Sequence, residues 1–319
     1  MRSEFDFIDN LKSKYSLGRI GDDCSIIPKD SRTDQVITAD LLIEGIDFRL
    51  DWTSPEFLGH KALAVSLSDI AAMGARPVWA MLSIGVPEAV WKTDFLDKFY
   101  NGWFALAKQF GVELIGGDTS RTPDQVVIDS IVIGEVAKGN AILRSGAKAG
   151  ESIYVTGELG GAAGGLRLLE KNHRFKARNH EGINKLLLRQ LQPHPQLRIA
   201  NILNSHGLAS SMIDLSDGLS SDVAHLCRAS GVGAKLYAEK IPVNANLSAM
   251  SIDLGEPLEF AINGGEDFEL LFTARAGKIT HLQDPDFSCI GEITDKNGLI
   301  EFIQDNKTDI LKPKGFRHF

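Results

Sequence analysis

The sequence predicts a mixed α and β protein of two domains, and three observations carry that expectation. Apolar runs of strand length alternate with longer stretches of helical character along the chain. At 319 residues the chain exceeds one ordinary domain and suits two of about 150. Around residues 137–150 the composition turns polar and rich in Gly and Lys, which sets a boundary between 1–140 and 141–319. Hydrophobic residues at 43% and charged residues at 24% give the balance of a globular protein with a real core.

The elements follow in order. Residues 36–43 read as a strand whose alternation puts Thr38 and Asp40 on one face. A helix starts at Thr53-Ser54-Pro55-Glu56, where a hydroxyl cap, a first-turn Pro and an early acid coincide. It runs to Met73 and stops at Gly74. A strand over 78–86 and a helix over 89–110 come next, closed by Gly111, then strands over 112–115 and 126–136. The second half opens with a strand over 152–156 and a Gly/Ala-rich turn over 157–165 that leads into a helix. Pro193-His194-Pro195 precedes another helix. Strands over 211–215 and 268–274 flank a helix over 218–230, and the ending KPKGFRHF has no regular pattern. No repeat of solenoid length occurs.

Several function classes are excluded. The N-terminus carries charge from residue 2 and lacks an apolar core segment, so it does not read as a signal peptide. The longest weakly charged stretch, 62–75, is too short to span a bilayer, and the expected location is cytoplasmic. Cys24, Cys227 and Cys289 are isolated and odd in number, which fits reduced thiols and neither a zinc site nor a disulfide framework. A net charge of −8 with no basic stripe argues against nucleic acid as a partner.

The informative residues are acids that sit where surface acids do not. GDDCSII at 21–27, VITADLL at 36–42, LSDIAAMGA at 67–75, LIGGDTS at 114–120, MIDLSDGLSSD at 212–222 and INGGEDFELL at 262–271 put carboxylates beside apolar strands or among small helical residues. Asp69 is the only charged residue between Ala62 and Ala75, with no Lys or Arg within a helical turn. A buried carboxylate needs a cation or several hydrogen-bond donors. Taken singly, each could be an Asp satisfied by neighbouring backbone. Six such segments favour a shared divalent-ion site. An all-oxygen donor set suits Mg²⁺, Mn²⁺ or Ca²⁺, and Mg²⁺ is the ion that phosphoryl-transfer enzymes combine with substrate phosphates. No EF-hand spacing is present.

Gly116-Gly117 and Gly264-Gly265 let backbone approach a ligand closely. GGAAGG at 160–165 could cradle a phosphate at a helix start or simply pack closely. Arg144 could clamp phosphate or be a solvated linker residue. Neither the P-loop nor the protein-kinase signature occurs.

Together GDDCSII, ITADLLIEGIDF, KALAVSLSDIAAMGARP, LIGGDTSR, RSGAKAGESIYVTG, MIDLSDGLSSD and NGGEDFELLFT form an ordered set over about residues 17–319. This set resembles the thiamine-monophosphate kinases, of the superfamily that includes aminoimidazole ribonucleotide synthetase and selenophosphate synthetase. The resemblance implies two α/β domains, with a homodimer in which N-terminal strands of both subunits form a β-barrel. It implies ATP as co-substrate, several Mg²⁺ ions, and phosphorylation of thiamine monophosphate to thiamine diphosphate. Carried over motif by motif, it makes Asp23, Thr38, Asp40, Asp69, Asp118, Asp214 and Asp217 metal ligands, with Asp22 in support. Gly117, Asp118, Arg144 and Ser216 would contact ATP, and Asp69, Asp118, Asp217 and Arg144 would carry the catalysis. Asp47, Glu266 and Phe316 would face the thiamine moiety, where an aromatic ring suits a cationic heterocycle.

Two positions depart from the pattern: Asp47 stands where many members carry His, and Ala39 replaces a common hydroxyl residue. The alternatives are an aminoimidazole ribonucleotide synthetase-like enzyme or a non-catalytic nucleotide and Mg²⁺ sensor. RSGAKAGE followed by IYVTG favours the thiamine branch, and the full set of acids argues against a sensor.

Overall fold

Two sheets, one from each half of the chain, flank a helix that has almost no solvent face. The computed structural model describes residues 4–250, 254–275, 277–279 and 287–316. The first half comprises α1 (Glu4–Tyr15), β1 (Ser25–Pro28), β2 (Thr33–Ile43), α2 (Pro55–Ala72), β3 (Arg76–Val86), α3 (Glu88–Trp91), α4 (Phe95–Phe110), β4 (Glu113–Arg121) and β5 (Val127–Ala137). Its sheet has the order β1-β2-β5-β3-β4, antiparallel except for the β3–β4 pair, which α4 connects. No closed sheet occurs among the described residues.

In β2 the alternation of half-buried and buried residues puts Asp34, Val36 and Thr38 inward, as a strand with one covered face requires. Ser54 caps α2, its hydroxyl accepting from the Phe57 N–H at 3.2 Å, and Pro55 fills the first turn. α2 packs against β2, β5 and α4 on one side and against α7 and β7 of the second half on the other. That explains its apolar composition all round. Its crossing with α4 depends on paired glycines: a Cβ on Gly59 would lie 1.9 Å from the Phe99 carbonyl oxygen, and one on Gly102 would lie 1.9 Å from that of Glu56.

The second half comprises β6 (Ser152–Thr156), α5 (Gly161–Glu170), α6 (Glu181–Leu191), α7 (Leu197–Ser205), β7 (Ser211–Asp214), α8 (Leu219–Ser230), β8 (Gly233–Tyr237), α9 (Ala245–Ala249), α10 (Pro257–Asn263), β9 (Leu270–Ala274), β10 (Phe287–Thr294), β11 (Ile300–Gln304) and β12 (Lys307–Ile310). Its seven strands run in the order β12-β11-β8-β10-β6-β9-β7. The largest apolar core joins the halves, since Leu197, Leu203, Met212 and Phe272 pack in one cluster with Leu63, Leu67 and Ile70 of α2.

The structure departs from the sequence reading in three places. The helix expected over 89–110 breaks into α3 and α4 where the Thr93 hydroxyl accepts from the Phe95 N–H at 3.2 Å, a local bond that competes with helix continuation. The strand expected over 112–115 runs on to Arg121, because β3 supplies partners on both sides of a bulge at Ile115. Gly117 lets it do so: its φ is +152°, and a Cβ there would sit 1.9 Å from the Leu82 carbonyl oxygen. The turn expected over 157–165 is helical from Gly161. Residues 311–316 of the C-terminal segment are irregular, as expected, and its last residues, 317–319, lie outside those described.

Candidate active site

Three elements from both halves bring carboxylates together: the turn before β1 supplies Asp23, the last turn of α2 supplies Asp69, and β7 ends on Asp214. An oxygen of each lies within 4.8 Å of those of the other two. Neighbouring hydroxyls bind the group. Thr38 donates to Asp69, Ser68 donates to Asp214 at 2.7 Å, and Ser66 donates to Asp40 at 2.6 Å. Ser66 and Ser68 were missed in the sequence, although two hydroxyls in an otherwise apolar helix beside Asp69 are a readable signal. Arg144 grips the group from the chain between the halves. Its Nη2 lies 2.7 Å from Asp23 Oδ1, and its backbone N–H donates to Asp22 at 2.6 Å. Arg144 is therefore no solvated linker residue.

The charge balance remains lopsided. Burial first, then repulsion from Asp40, Asp214 and Asp23, pushes Asp69 well above the ordinary carboxylate range. Burial, then the Asp23 charge, lifts Asp214 to about 8. Burial lifts Asp40 to about 6 against the opposing bond from Ser66. Asp23 Oδ2 is buried without a hydrogen-bond partner. An all-oxygen group with an orphaned oxygen and too few cations fits a hard divalent ion.

Beside this group opens a cavity of about 700 Å³, lined by Asp40, Asp47, Ser216, Asp217, Glu266 and Phe316, all predicted, and by Trp52, Lys61 and Gln190, which were not. The C-terminal segment reaches it through backbone bonds: the Phe316 N–H donates to the Asp217 carbonyl at 3.1 Å, and the Gly315 N–H donates to the Ser221 hydroxyl at 3.1 Å. Gly265 lets the 216–217 loop close in, since a Cβ there would meet the Ser216 carbonyl oxygen at 2.5 Å. Glu266 and Phe268 follow with φ of +64° and +50°, left-handed conformations that cost of order 1–3 kcal/mol each outside glycine. Both oxygens of Glu266 are held, Oε1 by Lys61 Nζ at 2.7 Å and Oε2 by the Gln190 amide. Asp47 lines the cavity while accepting from the Ile43 N–H at 2.8 Å, so its carboxylate also closes its own turn.

Not every expected residue joins this assembly. Gly117 and Asp118 lie on β4, exposed at the sheet edge, and Asp118 accepts from the Thr119 N–H at 2.8 Å. They belong neither to the three-carboxylate group nor to the cavity lining. The α5 N-terminus is no open phosphate cradle either. Asp267 fills it, accepting from the Gly160 N–H at 2.6 Å and the Ala162 N–H at 3.0 Å.

Residues 21–136 match the AIR synthase related protein, N-terminal domain, and residues 148–304 match the corresponding C-terminal domain. The chain is 38% identical to the thiamine-monophosphate kinase of Escherichia coli (strain K12), over 99% of this chain and 95% of that protein. The chain belongs to the thiamine-monophosphate kinase family. The Bacillus subtilis (strain 168) member of this family is 33% identical over 99% of each chain. A solved structure of AaThiL complexed with AMPPCP and TMP superposes with a TM-score of 0.89 at 31% identity, covering 99% of this chain and 97% of that one. The family member from Stenotrophomonas maltophilia K279a superposes with a TM-score of 0.79 at 35% identity, covering 96% and 98%.

Proposed function

We propose that this chain transfers the γ-phosphoryl group of ATP to the phosphate of thiamine monophosphate, giving thiamine diphosphate and ADP. The observation that carries the reading is the cavity itself. It joins Asp40 and Asp217, from the acidic motifs, to Trp52, Glu266 and Phe316, which suit a cationic heterocycle with N–H donors. The complex of AaThiL with AMPPCP and TMP supports it.

An oxygen of the acceptor phosphate forms the new bond to the γ-phosphorus, and the bond to the β–γ bridging oxygen breaks, leaving its electron pair on ADP. The attacking oxygen is already anionic, so no strong general base is needed. What the chain must supply is alignment of two anions and a site for charge neutralisation. Asp23, Asp69 and Asp214 would hold Mg²⁺, with Thr38, Asp40 and Asp217 as further ligands and Asp118, set apart on β4, as a ligand to another of the several ions. Bound there, Mg²⁺ would neutralise charge on the phosphate oxygens. Arg144 orients Asp22 and Asp23, and in this reading it contacts ATP with Gly117, Asp118 and Ser216. Asp47, Glu266 and Phe316 contact the thiamine moiety.

The same reading divides the chain into an N-terminal ATP, metal and dimerisation domain, 1–140, and a C-terminal domain, 141–319, that completes the site. It makes the protein a cytoplasmic homodimer with a barrel across the subunits. The exposed edge strand β4 and the exposed Leu41, Ile46 and Ile115 support that arrangement. No helix among the described residues is long and apolar enough to cross a membrane.

The test is purified protein with ATP, Mg²⁺ and thiamine monophosphate, following ADP and thiamine diphosphate together, with EDTA and free thiamine as controls. Stoichiometric products from thiamine monophosphate alone are expected. ADP without thiamine diphosphate would assign another acceptor, and no ADP would leave the sensor reading.

A further inference from the structure

We infer that Lys61 is a positioning residue for the acceptor, acting through Glu266. It stands in α2, after His60 and at the head of the apolar run from Ala62 to Val65, and is only 4% exposed. A buried ammonium needs an anion, and Glu266, from the opposite half of the chain, meets it at 2.7 Å. Gln190 of α6 takes the other carboxylate oxygen, so two helices fix one side chain.

Three features separate this from an ordinary structural ion pair. Lys61, Gln190 and Glu266 all line the cavity. Glu266 keeps a third of its side chain open to that space, at 30%, while Lys61 is sealed behind it. The Glu266 backbone is also left-handed, a conformation that persists only where the surroundings over-determine it. Each carboxylate oxygen, engaged once, retains acceptor capacity for an N–H donor on a ligand.

α2 adds a metric. Lys61 precedes Asp69 by two helical turns, about 12 Å along a helix. One rigid element therefore spaces the carboxylate group from the residue that fixes Glu266. Lys61 sets where the amino-bearing ring of the acceptor rests, and thereby where its phosphate lies. The inference rests on the thiamine-monophosphate kinase reading.

The experiment is steady-state kinetics of wild type, Lys61→Met, Glu266→Gln and the double variant, with ATP and thiamine monophosphate each varied. Lys61→Met is expected to raise KM for thiamine monophosphate tenfold or more, to lower kcat less than threefold, and to leave KM for ATP within twofold. In the double variant Lys61→Met should add less than twofold to the effect of Glu266→Gln. A KM for thiamine monophosphate within twofold of wild type, a matching rise in KM for ATP, or additive effects in the double variant would each overturn the inference. If Lys61→Met shows no cooperative thermal transition, Gln190→Leu takes its place, with a threefold or greater rise expected and an unchanged KM overturning the role. Wild type that makes no thiamine diphosphate would sink the functional reading and this inference together, whereas active wild type with an indifferent Lys61→Met sinks this inference alone.

Discussion

Asp267 and Glu269 lie as deep in the protein as Asp23 and Asp214, all of them less than a tenth exposed, yet the two pairs are treated in opposite ways. Around Asp267 and Glu269 the donors match the acids. Two backbone amides at the α5 N-terminus serve Asp267, the Thr156 hydroxyl serves Glu269 at 2.6 Å, and Arg189 lies 2.9 Å from Glu269. Burial still lifts Asp267 to about 6, with Arg189 and the two amides opposing it. Around Asp23, Asp69 and Asp214 the donors are hydroxyls and one arginine, and Asp214 rises to about 8. The first group is a network closed on the acid side, its orphaned buried atom being a donor, Arg189 Nε. The second carries charge that the chain itself does not neutralise, which is how a protein keeps room for a cation.

The contrast can be broken at either end. Asp69→Asn or Asp217→Asn should cut kcat by at least a hundred- to a thousandfold, the scale of losing a charge-stabilising group, while the cooperative unfolding transition survives. Near-normal turnover in a folded Asp217→Asn protein would remove the metal-site assignment. Arg189→Met, in the closed network, should act on stability instead. Stripping the cation from buried Asp267 and Glu269 is expected to cost about 3–5 kcal/mol in chemical denaturation.

The pH dependence sharpens the comparison. Asp40, Asp69 and Asp214 have folded pKa values above their unfolded ones, so the native state binds more protons than the unfolded chain. Their contribution is most favourable below the unfolded carboxylate range and is lost as pH rises from there through about 8. In EDTA, the thermal midpoint should therefore fall between pH 5 and pH 8, and Mg²⁺ should restore more at pH 8 than at pH 5. A Mg²⁺ effect that does not grow with pH would contradict the repulsion account. The smallest effect is expected from Asp267→Asn, which turns one acceptor at the α5 N-terminus into a donor facing an N–H. About 1–3 kcal/mol of stability should go, with KM for ATP unaltered.

How much of this could be read from the residues depends on how local each signal is. The strand of Thr38 and Asp40 and the capped helix of Asp69 were legible because periodicity and capping act within a few neighbours. The acids were legible because their apolar surroundings were contiguous in sequence. β8, β10 and β11 were not, since the strands they pair with lie far along the chain, whereas α6 and the tight β11–β12 hairpin, turned at Asp305-Asn306, carried local signals that were overlooked. GGAAGG looked like an anion cradle because nothing nearby in sequence announces that Asp267 will occupy it. Lys61 looked like the edge of an apolar helix, and only its partner in the other half gives it meaning. Asp118 was singled out by its motif alone, and its strand runs along the exposed sheet edge, outside the three-carboxylate group.

α2 is at once the centre of the core and the carrier of Lys61, Ser66, Ser68 and Asp69. In most enzymes the site rides on loops that can open while the scaffold stays shut. Here the backbone bearing half of the site has no independent opening of its own. Local breathing that would move Asp69, itself half-buried, must separate the two halves of the chain, so the lifetime of the site is the lifetime of the fold.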